Sequence, residues 1–225
     1  MNMAIWMRED EAIRDDVIAE LESDPEITDA ARIGVSVHNG VVTLTGSVSS
    51  YPQRLAAEKA ARRVDGVKAV ANDIEVKLPT AGIRSDSDIA EAAVNALRWD
   101  VQVPDERIQV TVHEGWVTLE GDVDYWYQKQ AAERDVRSLQ GVKGVINNIR
   151  VMAPRISPAE VKSKIEQAFE RSAELDARRI NVETYDGKLV LTGKVRSLAE
   201  KEEAEAVAWS TRGVSEVENR IVVSP

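Results

Sequence analysis

The chain has no cysteine in its 225 residues, so it has no disulfide framework, thiol nucleophile or thiolate metal site. Basic residues are also in deficit: 29 Lys and Arg stand against 39 Asp and Glu, a formal charge of −10. Nucleic-acid binding is dominated by cations that neutralise phosphates, so no nucleic-acid partner is expected. No window approaches the roughly 20 apolar residues of a membrane span, so no transmembrane segment is expected. The amino terminus runs from Met1-Asn2-Met3-Ala4-Ile5-Trp6-Met7 into Arg8-Glu9-Asp10-Glu11, without the basic start, apolar run and cleavage site of a secretory signal. That pattern predicts a cytoplasmic protein, or a periplasmic one if an original signal was removed. Histidine is scarce as well: His38 and His113 recur at one repeat position beside a turn, where the third copy has Tyr185, and read as turn-flanking residues rather than a metal pair. No nucleophile elbow, phosphate loop or metal-spaced cluster accompanies the Ser, Asp and Glu residues. No catalytic residue, metal ligand or cofactor is assigned, and the expectation is a non-enzyme.

What the chain does have is one strand written three times. Val41-Val42-Thr43-Leu44-Thr45-Gly46-Ser47-Val48 returns as Trp116-Val117-Thr118-Leu119-Glu120-Gly121-Asp122-Val123 and as Lys188-Leu189-Val190-Leu191-Thr192-Gly193-Lys194-Val195. The glycines lie 121 − 46 = 75 and 193 − 121 = 72 residues apart, a period that suits a small domain rather than a solenoid unit. Alternating apolar and polar residues mark half-buried strands, and the glycine marks a bulge or a close approach of backbone. Another strand precedes each: Ile33 to Val37, Ile108 to Val112 and Ile180 to Thr184. Asn39-Gly40, Glu114-Gly115 and Asp186-Gly187 join the pairs as tight hairpin turns.

Helical periodicity flanks each hairpin. Ile13, Val17, Ile18 and Leu21 share a face, as do Ile89, Ala93, Val94 and Leu97, and then Val161, Ile165, Ala168 and Phe169. Ser157-Pro158-Ala159-Glu160 reads as a capping box with proline at the first helical position. In the second helices Ala57, Ala61 and Val64 match Ala132, Val136 and Leu139, then Ala204, Ala208 and Thr211, a small-residue stripe that lets a helix lie close on a sheet. Gly66-Val67, Gly141-Val142 and Gly213-Val214 look like helix stops. A closing strand follows over Val70 to Val76, Val145 to Val151 and Val217 to Val223, with Asn72, Asn147 and Asn219 at one matching place. The expected fold class is α+β: three tandem αββαβ units over 8–78, 86–153 and 156–224, each a three-stranded mixed sheet with two helices packed on it. The short linkers around Pro79-Thr80-Ala81-Gly82 and Ala153-Pro154-Arg155 imply that the units touch.

The hairpin glycine, the Val-x-Leu-x-Gly-x-Val strand, the helix-ending Gly-Val and the Val-x-Asn-x-Ile-x-Val strand together resemble the BON domain, in three copies across nearly the whole chain. The resemblance implies envelope and osmotic-stress proteins, a transport-associated repeat module, attachment to phospholipid surfaces and, in one cytosolic relative, potassium binding. The expected function is therefore a stress-response binding or scaffold protein acting on a phospholipid surface or another protein. The alternatives are a cytosolic sensor of a monovalent or divalent cation, potassium or calcium, and a chaperone-like protein-binding module.

Two surface features are candidate sites. Lys59, Arg62 and Lys68 recur as Arg134, Arg137 and Lys143, a basic set in an acidic protein and the candidate lipid-binding surface. Tyr125-Trp126-Tyr127 opens the second helix of the second unit, and Trp209 stands in the third unit where the others have Arg62 and Arg137. The wheel turns Trp209 away from the Ala204-Ala208 stripe, so it is expected outside its own core and packed on another domain, linker or chain, or else facing a ligand. Gly141-Val142-Lys143-Gly144 matches the loop with which KH domains clamp RNA, but here it leads from a helix into a strand.

Overall fold

The computed structural model describes residues 10–152, 158–171, 179–185 and 188–224. The Asp186-Gly187 turn, Ser157, the 153–155 linker and the amino-terminal Met1–Met7 stretch fall outside the described residues. Three αββαβ units follow one another. The first holds α1 (Asp10–Ser23), β1 (Ile33–His38), β2 (Val41–Val48), α2 (Tyr51–Arg63) and a closing strand in two pieces, β3 (Ala69–Asn72) and β4 (Glu75–Val76). The second holds α3 (Asp86–Trp99), β5 (Ile108–His113), β6 (Trp116–Val123), α4 (Trp126–Arg137) and β7 (Gly144–Val151). The third holds α5 (Pro158–Arg171), β8 (Ile180–Tyr185), β9 (Lys188–Val195), α6 (Leu198–Trp209) and β10 (Glu216–Val223).

In every sheet the repeated strand is central. It pairs antiparallel with the strand before it and parallel with the closing strand. The antiparallel pairs can use two-residue turns, and these are built as the sequence dictates: Asn39 and Gly40 take φ of 53° and 79°, Glu114 and Gly115 take 50° and 82°. Each described turn is also fastened from the first helix. Asp10 accepts from the Asn39 and Gly40 N–H groups at 2.7 and 2.9 Å, and Asp86 accepts from Glu114 and Gly115 at 2.8 and 2.9 Å. Those bonds, the Gly40 N–H first, hold the Asp10 carboxyl below its ordinary value.

The strand glycine allows a close approach. Gly46, Gly121 and Gly193 have φ of 110°, 143° and 140°, and a Cβ on any of them would overlap the carbonyl oxygen of Arg32, Arg107 or Arg179. The matching asparagines pin the second helix to the closing strand. The Asn72 amide donates to the Arg54 carbonyl at 3.2 Å and to Glu58 at 3.0 Å, while its oxygen accepts from the Ile74 N–H at 3.3 Å. Asn147 repeats this with Lys129, Glu133 and Ile149, and Asn219 with Lys201, Glu205 and Ile221. A half-buried amide with its valences filled tolerates no shift of helix against strand.

Packing departs from the wheel at the edges. Ile13, Val17 and Leu21 are buried, as are Ile89, Ala93 and Leu97, but Ile18 and Val94 sit about 100° off the buried line and are exposed. In α2 two adjacent columns are buried, Ala56 and Ala60 beside Ala57 and Ala61, because the helix covers its own sheet and also lies against α6. Ser85 opens α3 with a box closed by aspartate: its Oγ accepts from the Asp88 N–H at 3.2 Å and Asp88 accepts from the Ser85 N–H at 3.2 Å.

Candidate functional site

The basic set comes to rest in differing surroundings. Arg62 is paired with Glu58 at 2.6 Å and with Glu202 of the third unit. Arg134 is held by Asp100 at 2.7 Å and lies 3.5 Å from Asp135. The Lys68 and Lys143 stems lie along Gly40 and Gly115, while Lys59 and Arg137 are exposed. The six cations therefore do not form one continuous unneutralised face. His38 and His113 are exposed beside their turns, and no group of three or more His, Asp or Glu gathers as for a metal ion among the described residues.

Two of the aromatic candidates, Trp126 and Trp209, meet at a unit boundary. Tyr51, Trp126 and Leu198 occupy the same position, the first residue of the second helix. Tyr51 is buried in the core of the second unit rather than its own, with Leu55 beside it. Burial raises its hydroxyl above the ordinary tyrosine value, and the hydroxyl has a backbone hydrogen bond with Val145. Nearby, the Arg54 guanidinium lies 6.0 Å from the centre of the Trp116 ring. Trp126 stacks on Trp209 of the third unit, centroids 6.4 Å apart and planes 6° apart. Leu198 packs on the first unit's core, where the Gly66 N–H donates to the Arg196 carbonyl at 3.4 Å. First touches second, second touches third, and third returns to first, so the contacts close a cycle. Tyr125 and Tyr127 stack on each other at 5.7 Å, and Tyr127 is exposed.

Trp209 differs from expectation in one respect. Its ring packs on the second unit's core but also on its own unit's core. One residue past Ala208 is a turn of only about 100°, and an indole is long enough to span the seam from there.

A further surface was not singled out from the sequence. Trp99, the last residue of α3, is 85% exposed, and Val101 just beyond it is fully exposed. Between them Asp100 turns inward, accepting from the Gln102 N–H at 2.8 Å and from Arg134 at 2.7 Å, so the loop is held while the two apolar side chains project. Beneath it, burial first and the neighbouring Asp100 next push the Asp135 carboxyl up. The signal was available in part: two residues past Leu97 places Trp99 about 200° around the helix from the buried face.

At the second boundary lies a cleft of about 700 Å³ lined by Trp126, Lys129, Ile149, Met152, Trp209 and Glu216 among others. Among the described residues, no helix is long and apolar enough to cross a membrane.

Known proteins share this pattern. Osmotically-inducible protein Y of Escherichia coli is 31% identical over 154 residues, 67% of this chain and 76% of that protein. The 21 kDa hemolysin of Actinobacillus pleuropneumoniae is 30% identical over 63% of this chain and 75% of its own. Outer membrane lipoprotein DolP of Haemophilus influenzae is 34% identical over 82 residues, 36% of this chain and 42% of that protein. A solved structure of CdsD, a structural protein of the type III secretion system of Chlamydia trachomatis, aligns over 94% of this chain and 91% of that one at 15% identity and a TM-score of 0.28. The cytoplasmic placement expected from the amino terminus is overturned by the similarity to an outer membrane lipoprotein and to the osmotically inducible protein, and is withdrawn. The BON-domain model matches residues 9–77, 85–153 and 157–225, and the chain belongs to the BON-domain family.

Proposed function

We propose that this protein is a non-enzymatic stress-response binding protein that attaches to phospholipid surfaces through the Trp99–Val101 tip of its second unit. The observation that carries the reading is that tip: two large apolar side chains stand in solvent on a loop whose backbone is tied down by Asp100. A tryptophan and an aliphatic residue displayed together suit the boundary between headgroups and acyl chains, where an indole is at home. The similarity to an outer membrane lipoprotein and an osmotically inducible protein supports both the surface and the circumstance. With Arg62 and Arg134 already paired to carboxylates and a net charge of −10, insertion of apolar groups is the stronger attraction.

Burying the two side chains contributes about 1.5–3 kcal/mol each. Replacing both, Trp99→Ser with Val101→Ser, is expected to weaken flotation with phosphatidylglycerol-containing vesicles at least about a hundredfold. Arg62→Glu with Arg137→Glu should change it much less. Flotation of the Trp99/Val101 double variant at the wild-type level would refute the assignment.

A further inference from the structure

The internal repeat supplies its own comparison for the cleft at the second boundary. At the first boundary the Trp116 indole lies on Gly144, its partner across the parallel ladder, so closely that a Cβ on Gly144 would overlap the ring. Arg54 of the preceding unit covers that ring at 6.0 Å. One repeat later the same three places are held by Lys188, Glu216 and Lys129. Lys188 cannot replace the indole: its ammonium turns to Glu216 and Glu218 at 2.8 and 3.3 Å, and it does not line the cleft. No aromatic ring stands at the matching position of the second boundary, where the cleft, lined by Lys129 and Glu216, lies beside the stacked Trp126 and Trp209.

Two cations and two carboxylates line this space, and they are held unequally. Arg150 is held by Asp122 through bonds of 2.7 and 3.0 Å, Glu216 by Lys188, and Glu205 accepts from the Asn219 amide at 3.1 Å. Lys129 is half-buried and in no ion pair among the described residues, Glu133 acting on it only at a distance. Its desolvation disfavours the charged ammonium, and an anion brought to it would restore that form. Clefts of a few hundred Å³ with apolar walls and one oriented charge suit small organic ligands.

We propose that this cleft binds a small planar aromatic acid, its ring seated where the first boundary holds the Trp116 indole and its carboxylate paired with the Lys129 ammonium. Ile149 and Met152 supply apolar wall.

The test is calorimetric titration of the full chain with 2-naphthoate and with the cationic 2-naphthylmethylamine. The acid is expected to bind once per chain and at least about tenfold more tightly than the amine, with Lys129→Gln removing about tenfold of the affinity for the acid. Rebuilding the first boundary's pair at the second, with Lys188→Trp and Glu216→Gly, is expected to fill the space and abolish binding. Should that double variant fail to fold, Lys129→Gln decides alone, because it removes one half-exposed charge. Equal affinity for acid and amine, undiminished binding of the acid by Lys129→Gln, or no binding of 2-naphthoate by the wild type would overturn the proposal.

Discussion

Gly121→Val is expected to lower stability by about 4 kcal/mol, as a shift of the urea midpoint at unchanged slope, or to prevent the second unit from folding. Two costs coincide at this position. The backbone has φ of 143°, where a residue with a Cβ is strained by about 1–3 kcal/mol. The added carbon would also overlap the Arg107 carbonyl, a backbone atom immediately before β5, and Gly121 is paired with Ile108 across the ladder. Neither strand can yield without giving up the hairpin. A variant within about 1 kcal/mol of the wild type would show that the ladder relaxes more freely than the geometry implies.

Tyr51→Ala is expected to cost about 3–5 kcal/mol and to split one calorimetric transition into two. The ring is 8% exposed and lies in the second unit's core, so its removal is expected to uncouple the first unit as well as to empty a core position. The hydroxyl adds a pH dependence. Burial raises its folded value above the ordinary 10.0, so the neutral form is favoured in the fold. That part of the stability is fully present below the unfolded value and is lost as the pH rises from there through the folded one. Tyr51→Phe should abolish this alkaline loss while keeping most of the packing. A single transition at wild-type temperature for Tyr51→Ala would contradict the proposed coupling.

Much of this architecture is legible in the chain because its determinants are local. Asn39-Gly40, the alternation through Val117 and Leu119, and the Ile89–Ala93–Leu97 line each act within a few residues, and repetition at 75 and 72 residues supplies three independent readings of one fold. The asparagine pins are visible as repeated residues, whereas their glutamate partners lie 14 residues away and are joined to them only by the fold. The boundaries between units are a different matter. Nothing near Tyr51 says that its ring joins the second core, and nothing near Arg62 says that Glu202, 140 residues away, neutralises it. The basic set reads as a surface in the sequence because charge is written there while pairing is not. Trp99 could have been placed on the outer side of α3 by its angle, whereas the projection of Val101 depends on the bonds Asp100 makes after the helix ends.

The closed cycle of contacts is the central claim, since one of its three links, the stacking of Trp126 on Trp209, borders the cleft. Its decisive link is the return from third unit to first, where Arg62 meets Glu202 and the Gly66 N–H reaches the Arg196 carbonyl. The absence of native cysteine makes this link directly testable, because Arg62→Cys with Glu202→Cys introduces the only two thiols. Treatment of the dilute double variant with a short bis-maleimide should give an internally bridged monomer, seen as a faster-migrating band under denaturing conditions and absent from either single variant. Recovery of unbridged monomer, or of intermolecular dimer alone, would contradict the closed arrangement.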